Sequence, residues 1–122
     1  MDGEIGHEEL VSILENGDDA RVVDIRSPRA YERGHIPGSE NVPLQQLVDG
    51  IEQFEGTDRV VTVCPHGKSS VQAARLVASY EGFSGQAESF APGLAEWDGP
   101  IETGSGEDDA TAATDEGPDA PF

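Results

Sequence analysis

Hydrophobic positions along the chain fall into short stretches whose period switches between helix and strand. From His7 to Leu14 the apolar residues Leu10, Ile13 and Leu14 recur at helical spacing, and Gly17 is the natural stop. Arg21-Val-Val-Asp-Ile-Arg26 is a β-branched run that reads as a short buried strand. Ser27-Pro28 has the form of an N-cap with proline at the first helical position, predicting a helix to about Arg33. Gly34-His-Ile-Pro-Gly38 predicts a turn, and Glu40-Asn-Val42 a brief strand ended by Pro43. A helix over 45–54 would carry Leu44, Leu47, Val48 and Ile51 inward. Val60-Val-Thr-Val-Cys64 is the clearest strand, continuous rather than alternating, as in a parallel sheet covered on both faces. Pro65-His-Gly-Lys68 breaks it. Ser69 to Glu81 predicts a helix with Val71, Ala74, Val77 and Ala78 on one face and Gly82 as its stop. Ala87–Phe90 is a last short strand, and Gly93–Trp97 a helical turn in which Trp97 packs into the core. Strands alternating with helices predict an α/β domain built on a parallel sheet.

Composition changes this picture at the C-terminus. The chain has 122 residues, the size of one domain. Residues 102–122 hold seven acidic groups and no basic one, and are rich in Gly, Ala, Thr, Asp and Pro. Such a segment cannot bury enough apolar area to offset its ordering entropy, so 1–101 reads as the folded domain and 102–122 as a disordered acidic tail. Seven Lys and Arg stand against 25 Asp and Glu, a formal charge of −18. That excess argues against a nucleic-acid partner and against an anionic membrane surface. Lys68 is the single lysine, and an acidic, lysine-poor surface is similar to those of salt-loving organisms. No apolar stretch approaches the ~20 residues of a spanning helix, and Met1-Asp-Gly-Glu4 is no secretory leader, so the expected location is cytoplasmic. One cysteine excludes an intrachain disulfide. No His, Cys or Asp grouping has metal-ligand spacing, so neither metal nor cofactor is expected. The expected state is a monomer.

The chemistry concentrates at Cys64. The strand pattern puts this thiol at the carboxyl end of a central strand, where open α/β sheets bind ligands. The loop after it contains Gly67 and runs into a helix N-terminus, so backbone N–H groups can turn inward as an anion nest. Comparable settings bring a cysteine pKa from ~8.5 into the range ~3.5–7.5. A helix end supplies only ~0.3–1 kcal/mol, and one pKa unit is ~1.4 kcal/mol, so loop amides and Lys68 must add to it. Cys64 is therefore the candidate nucleophile. His66, Gly67, Lys68, Ser69 and Ser70 are the candidate anion-binding residues. His66 could act as a base, or face solvent with its N–H inward; Ser69 and Ser70 could donate to the site or cap the helix. Asp24 and Arg26 could line the pocket rim, or pair with each other and with a loop amide. His35 reads as a turn histidine tied to Glu32 or to the backbone. A thiolate here could attack a sulfane sulfur, a phosphoryl group, or an acyl carbon given a base and an oxyanion hole. With no second cysteine to resolve it, a persulfide can still pass its outer sulfur to an external acceptor.

Five stretches carry a family resemblance over roughly residues 5–101: Val22-Val-Asp-Ile-Arg26, Tyr31-Glu-Arg-Gly-His-Ile-Pro-Gly-Ser39, Asn41-Val-Pro43, the Cys64 loop, and Gly93-Leu-Ala-Glu-Trp97. Together they resemble the single-domain rhodaneses, a family of sulfurtransferases. The resemblance implies a rhodanese-like fold, five parallel strands with helices on both faces. It implies Cys64 as a nucleophile that becomes a persulfide, thiosulfate as donor, and cyanide, a thiol or a protein as acceptor. Many members carry Arg at the fifth or sixth loop position, where this chain has Lys68 and Ser69. The form Cys-x-His-Gly-x-Ser-Ser is similar to that of short thiosulfate sulfurtransferases. Related phosphatases and arsenate reductases use Cys-x5-Arg, which would need Arg where this chain has Ser70. A sulfur carrier or partner-docking module of a sulfur relay is the alternative.

Overall fold

The computed structural model describes residues 2–16 and 20–103. Gly17, the expected helix stop, and residues 104–122 of the acidic tail lie outside that range. In chain order the elements are β1 (Asp2–Ile5), α1 (His7–Asn16), β2 (Ala20–Asp24), α2 (Pro28–Arg33), β3 (Glu40–Asn41) and α3 (Leu44–Asp49). A 3-10 turn (Ile51–Phe54), β4 (Arg59–Val63), α4 (Ser69–Ser79), β5 (Gln86–Phe90) and a second 3-10 turn (Leu94–Glu96) complete them. All five strands run parallel in the order β1-β5-β4-β2-β3, which puts β4 at the centre. The rhodanese-like α/β architecture expected from the resemblance is thus present.

The continuous Val-rich runs sit at the centre because both of their faces are covered. Along β4, Val60 and the following Cys64 face a core with Val23, Ile25, Leu47, Phe54, Ala73 and Val77, while Val61 and Val63 face another with Leu10, Ile13, Phe90 and Trp97. The first core is roofed by α3 and α4, the second by α1. Full burial of each such Val, Leu, Ile or Phe side chain is worth roughly 1.5–3 kcal/mol. Trp97 packs edge-on to Phe90, ring centroids 5.9 Å apart. Ser27 caps α2, its hydroxyl accepting from the Ala30 N–H at 3.3 Å, with Pro28 as the first helical residue.

Four details depart from the periodicity. β1 is an edge strand in which Gly3 and Glu4 are exposed and Ile5 alone is a buried hydrophobic, so it carries no apolar signature. The helix over 45–54 divides at Gly50 into α3 and a 3-10 turn. That turn sends Phe54 into the core and leaves Val48 44% exposed rather than inward. α4 ends at Ser79, because Tyr80 becomes extended (φ −73°, ψ 129°) and returns the chain so that Phe83 is buried; Gly82 is not its stop. The buried stripe of α4 is Ser70, Ala73, Ala74 and Val77, not one that includes Val71. This stripe has helical spacing but begins on a polar residue.

Past α2 the turn is closed by His35, 1% exposed. Its Nδ1 lies 2.7 Å from the Tyr31 carbonyl, and its ring stacks on Tyr31 with centroids 3.7 Å apart. The backbone is the expected partner; the carboxylate facing Nε2, at 3.5 Å, belongs to Glu102 and not to Glu32. His35 and Glu102 also exchange both backbone hydrogen bonds, at 2.9 and 2.8 Å. The first residue of the acidic segment is therefore fastened to the domain.

Candidate functional site

β4 delivers Cys64 to the carboxyl edge of the sheet, and the loop that follows is shaped from two sides. The carbonyls of Cys64 and Pro65 accept from the N–H groups of Leu94 and Ala95, both at 2.9 Å. These carbonyls are thus turned toward the second 3-10 turn and away from the sulfur. Two glycines allow the close approach. Gly67 has φ +73°, and a Cβ there would stand 2.2 Å from the Ala91 carbonyl oxygen. Gly93 has φ +80°, and its Cβ would stand 2.5 Å from the Pro65 oxygen. A side chain at either would meet backbone, and the conformation itself favours glycine.

The other side of the loop faces Sγ. The Ser70 N–H donates to Sγ at 3.3 Å, and the Ser70 hydroxyl lies 3.3 Å from the same atom. The amides of His66 and Lys68 also hydrogen-bond the sulfur. Burial of Cys64, 2% exposed, is the largest single influence on its thiol and pushes the pKa up. The Ser70 hydroxyl and then the amides of Ser70, His66 and Lys68 act the other way, and together they hold the pKa below the ordinary thiol value. A buried sulfur with donors fixed around it is a preorganised anion site.

The remaining candidates are distributed unevenly around this point. His66, Lys68 and Ser69 are exposed; His66 and Lys68 reach the sulfur through backbone, and Ser69 opens α4. Asp24 pairs in register with Val63, so strand alternation puts it on the sheet face opposite Cys64. Asp24 is 1% exposed, and its carboxylate takes the Arg26 backbone N–H at 3.0 Å and the Arg26 guanidinium at 2.7–3.1 Å. Arg26 in turn donates to the Gly34 carbonyl at 2.7 Å. This pair braces the turn after α2, and among the described residues none of its side-chain hydrogen bonds goes to the Cys64 loop.

Two residues of the site lie outside the sequence candidates. Ser89 on β5 has its hydroxyl 2.6 Å from that of Ser70. Thr62 on β4 donates to the Ser70 carbonyl at 2.7 Å and also contacts the Glu88 carbonyl at 3.3 Å. Thr62, Ser70 and Ser89 are all 0% exposed. At Thr62 the signal was a hydroxyl inside an otherwise apolar run, since a buried hydroxyl requires a partner; Ser89, in the mixed strand Gln86–Phe90, carried none. Among the described residues no three His, Cys, Asp or Glu side chains are grouped to hold a metal ion, and no helix is long and apolar enough to cross a membrane.

The pattern of the Rhodanese-like domain matches residues 6–99, most of the chain. The chain belongs to the rhodanese-like domain family. Among curated rhodanese relatives, the thiosulfate sulfurtransferase GlpE of Pseudomonas paraeruginosa is 38% identical over 105 residues, covering 84% of this chain and 92% of that protein. The putative sulfur carrier protein YrkF of Bacillus subtilis is 27% identical over 99 residues, covering 81% of this chain and 52% of that protein. Among solved structures, the human single-domain sulfurtransferase TSTD1 superposes with a TM-score of 0.66 at 28% identity, covering 77% of this chain and 93% of that one.

Proposed function

We propose that this rhodanese-like protein is a sulfurtransferase that moves sulfane sulfur from thiosulfate, or a persulfide donor, through a Cys64 persulfide to cyanide, a thiol or a protein acceptor. The Cys64 thiolate attacks the outer sulfur of thiosulfate. A new S–S bond forms on Cys64 as the old one breaks, and sulfite leaves with the electron pair. The acceptor nucleophile then attacks the outer persulfide sulfur, and Cys64 departs as thiolate, ready for another cycle. No base is needed in either step, because each leaving group is already an anion. The loop amides keep the negative charge solvated where water has little access. Lys68, as the one cation on the loop, attracts the dianionic donor, while Gly67 and Ser69 shape and open the anion-binding turn. The observation that carries the reading is the convergence of the Ser70 hydroxyl and three backbone amides on one buried sulfur.

Intact mass after incubation with thiosulfate tests it. The wild-type chain is expected to gain the mass of one sulfur atom, lose it on addition of cyanide, and show no gain as Cys64→Ser. No gain across a range of salt concentrations overturns the enzymatic reading. The second reading, a carrier that docks a protein partner, draws support from the 2% exposure of Cys64 and from likeness to a protein named as a sulfur carrier. Turnover with cyanide or small thiols, compared with turnover in cell extract, separates the two: a large gain in extract marks the relay module.

A further inference from the structure

Three buried hydroxyl and thiol groups form a line across the site: Ser89 Oγ to Ser70 Oγ at 2.6 Å, and Ser70 Oγ to Cys64 Sγ at 3.3 Å. Each hydroxyl has one proton to give. The Ser89 side chain is fully buried, and among the described residues its hydroxyl meets no partner other than Ser70. If Cys64 is a thiol donating to Ser70, the Ser70 proton must point at Ser89, and the Ser89 proton is left without an acceptor. If Cys64 is a thiolate, Ser89 donates to Ser70 and Ser70 donates to sulfur, so every proton in the line is used. An unmade hydrogen bond inside the protein is costly, so the direction in which Ser89 donates to Ser70 and Ser70 donates to sulfur is preferred.

We propose that Ser89 is a positioning residue for Cys64, its hydroxyl fixing the direction of donation through Ser70 so that the Ser70 proton points at the sulfur. Ser89 touches neither donor nor acceptor; it acts one residue removed, from the strand beside β4. The inference rests on Cys64 being the reacting group. Its test therefore reads the thiolate directly, by alkylation with iodoacetamide as a function of pH on the full chain, followed by intact mass. Because alkylation needs no sulfur donor, its outcome is independent of whether thiosulfate loads the protein.

In Ser89→Ala the midpoint of the alkylation profile is expected to move to higher pH by about half a unit to one unit, the size of one neutral hydrogen bond. Ser89→Thr, which keeps the hydroxyl, should return the midpoint toward wild type. In a Ser70→Ala background, Ser89→Ala should have no further effect, because the path to sulfur is already cut. If Ser89→Ala does not fold, Ser89→Val against Ser89→Thr makes the same comparison at nearly equal shape. A serine needed only for packing would lower the melting temperature and leave the midpoint in place. That result, or a midpoint shift that persists in the Ser70→Ala background, overturns the proposal.

Discussion

Taking a thiol out of water disfavours its charged form, so a cysteine as enclosed as Cys64 would ordinarily be inert. Four hydrogen bonds reverse that outcome, and they come from Ser70 twice and from the amides of His66 and Lys68. The distinction between amide and side chain has a consequence at Lys68, whose side chain belongs to an exposed residue. Lys68→Ala keeps the amide and removes the charge. The pH profile of alkylation should therefore stay where it is. It rises below the range of an ordinary thiol and levels off early, because a lowered pKa leaves Cys64 ionised at pH values where a free thiol is protonated. The KM for thiosulfate, by contrast, should rise about threefold to tenfold, as expected from a loss of ~1 kcal/mol of largely exposed charge attraction. Steady-state kinetics beside the alkylation profile checks both halves. An unchanged KM shows that the ammonium serves only solvation. Cys64 and its loop could be read from the chain because a thiol, a glycine and a helix start follow one another without interruption. Ser89 could not, because its contact with Ser70 bridges 19 positions and depends on which strand lies beside β4.

At the next scale, the loop keeps its shape because β5 and the turn after it grip it from behind. Leu94 and Ala95 hold two carbonyls, and Gly67 and Gly93 let the two backbones meet. Gly67→Ala should thus act through geometry. The new Cβ meets the Ala91 oxygen in a conformation L residues rarely adopt, so the loop must shift and its amides lose their aim. Sulfur loading from thiosulfate is expected to fall at least tenfold, with a smaller loss of melting temperature, because β4 and α4 remain packed. Intact-mass time courses and thermal melts compare the two effects; equal loading rates would show that the amides are not what activates the sulfur. The same dependence on neighbours explains which elements could be read in advance. β2, β4 and α2 announce themselves, the strands by β-branched runs and α2 by its Ser27-Pro28 start. β1 is recruited by pairing with β5 and has too few apolar residues to be seen alone. α4 is displaced in register because its inward stripe opens on Ser70, whose burial is set by hydrogen bonds to Cys64 and Ser89 rather than by hydrophobicity.

Over the whole molecule the charge of −18 sets a background that no single ion pair offsets. The pairs Arg21–Glu40 and Arg59–Glu9 are partly exposed and each worth up to about 1 kcal/mol. Self-repulsion acts over about 10 Å at 0.1 M salt and about 3 Å at 1 M, so melting temperature should climb with salt. Two truncations divide the electrostatic part of the acidic segment from its structural part. Ending the chain after Thr103 removes acidic groups and leaves the His35–Glu102 bridge intact. Repulsion falls, so the melting temperature at low salt should hold or rise and its dependence on salt should flatten. Ending the chain after Ile101 removes one further acidic group, Glu102, and with it both backbone partners of His35, a residue 1% exposed. An unpaired buried backbone group costs ~1–3 kcal/mol, which for a domain of this size is a drop of several degrees. Thermal melts of the two variants over a salt series decide the matter. If they melt alike, Glu102 belongs functionally with the tail and the domain closes at residue 101; if only the shorter one drops, the folded unit extends through the Glu102 bridge.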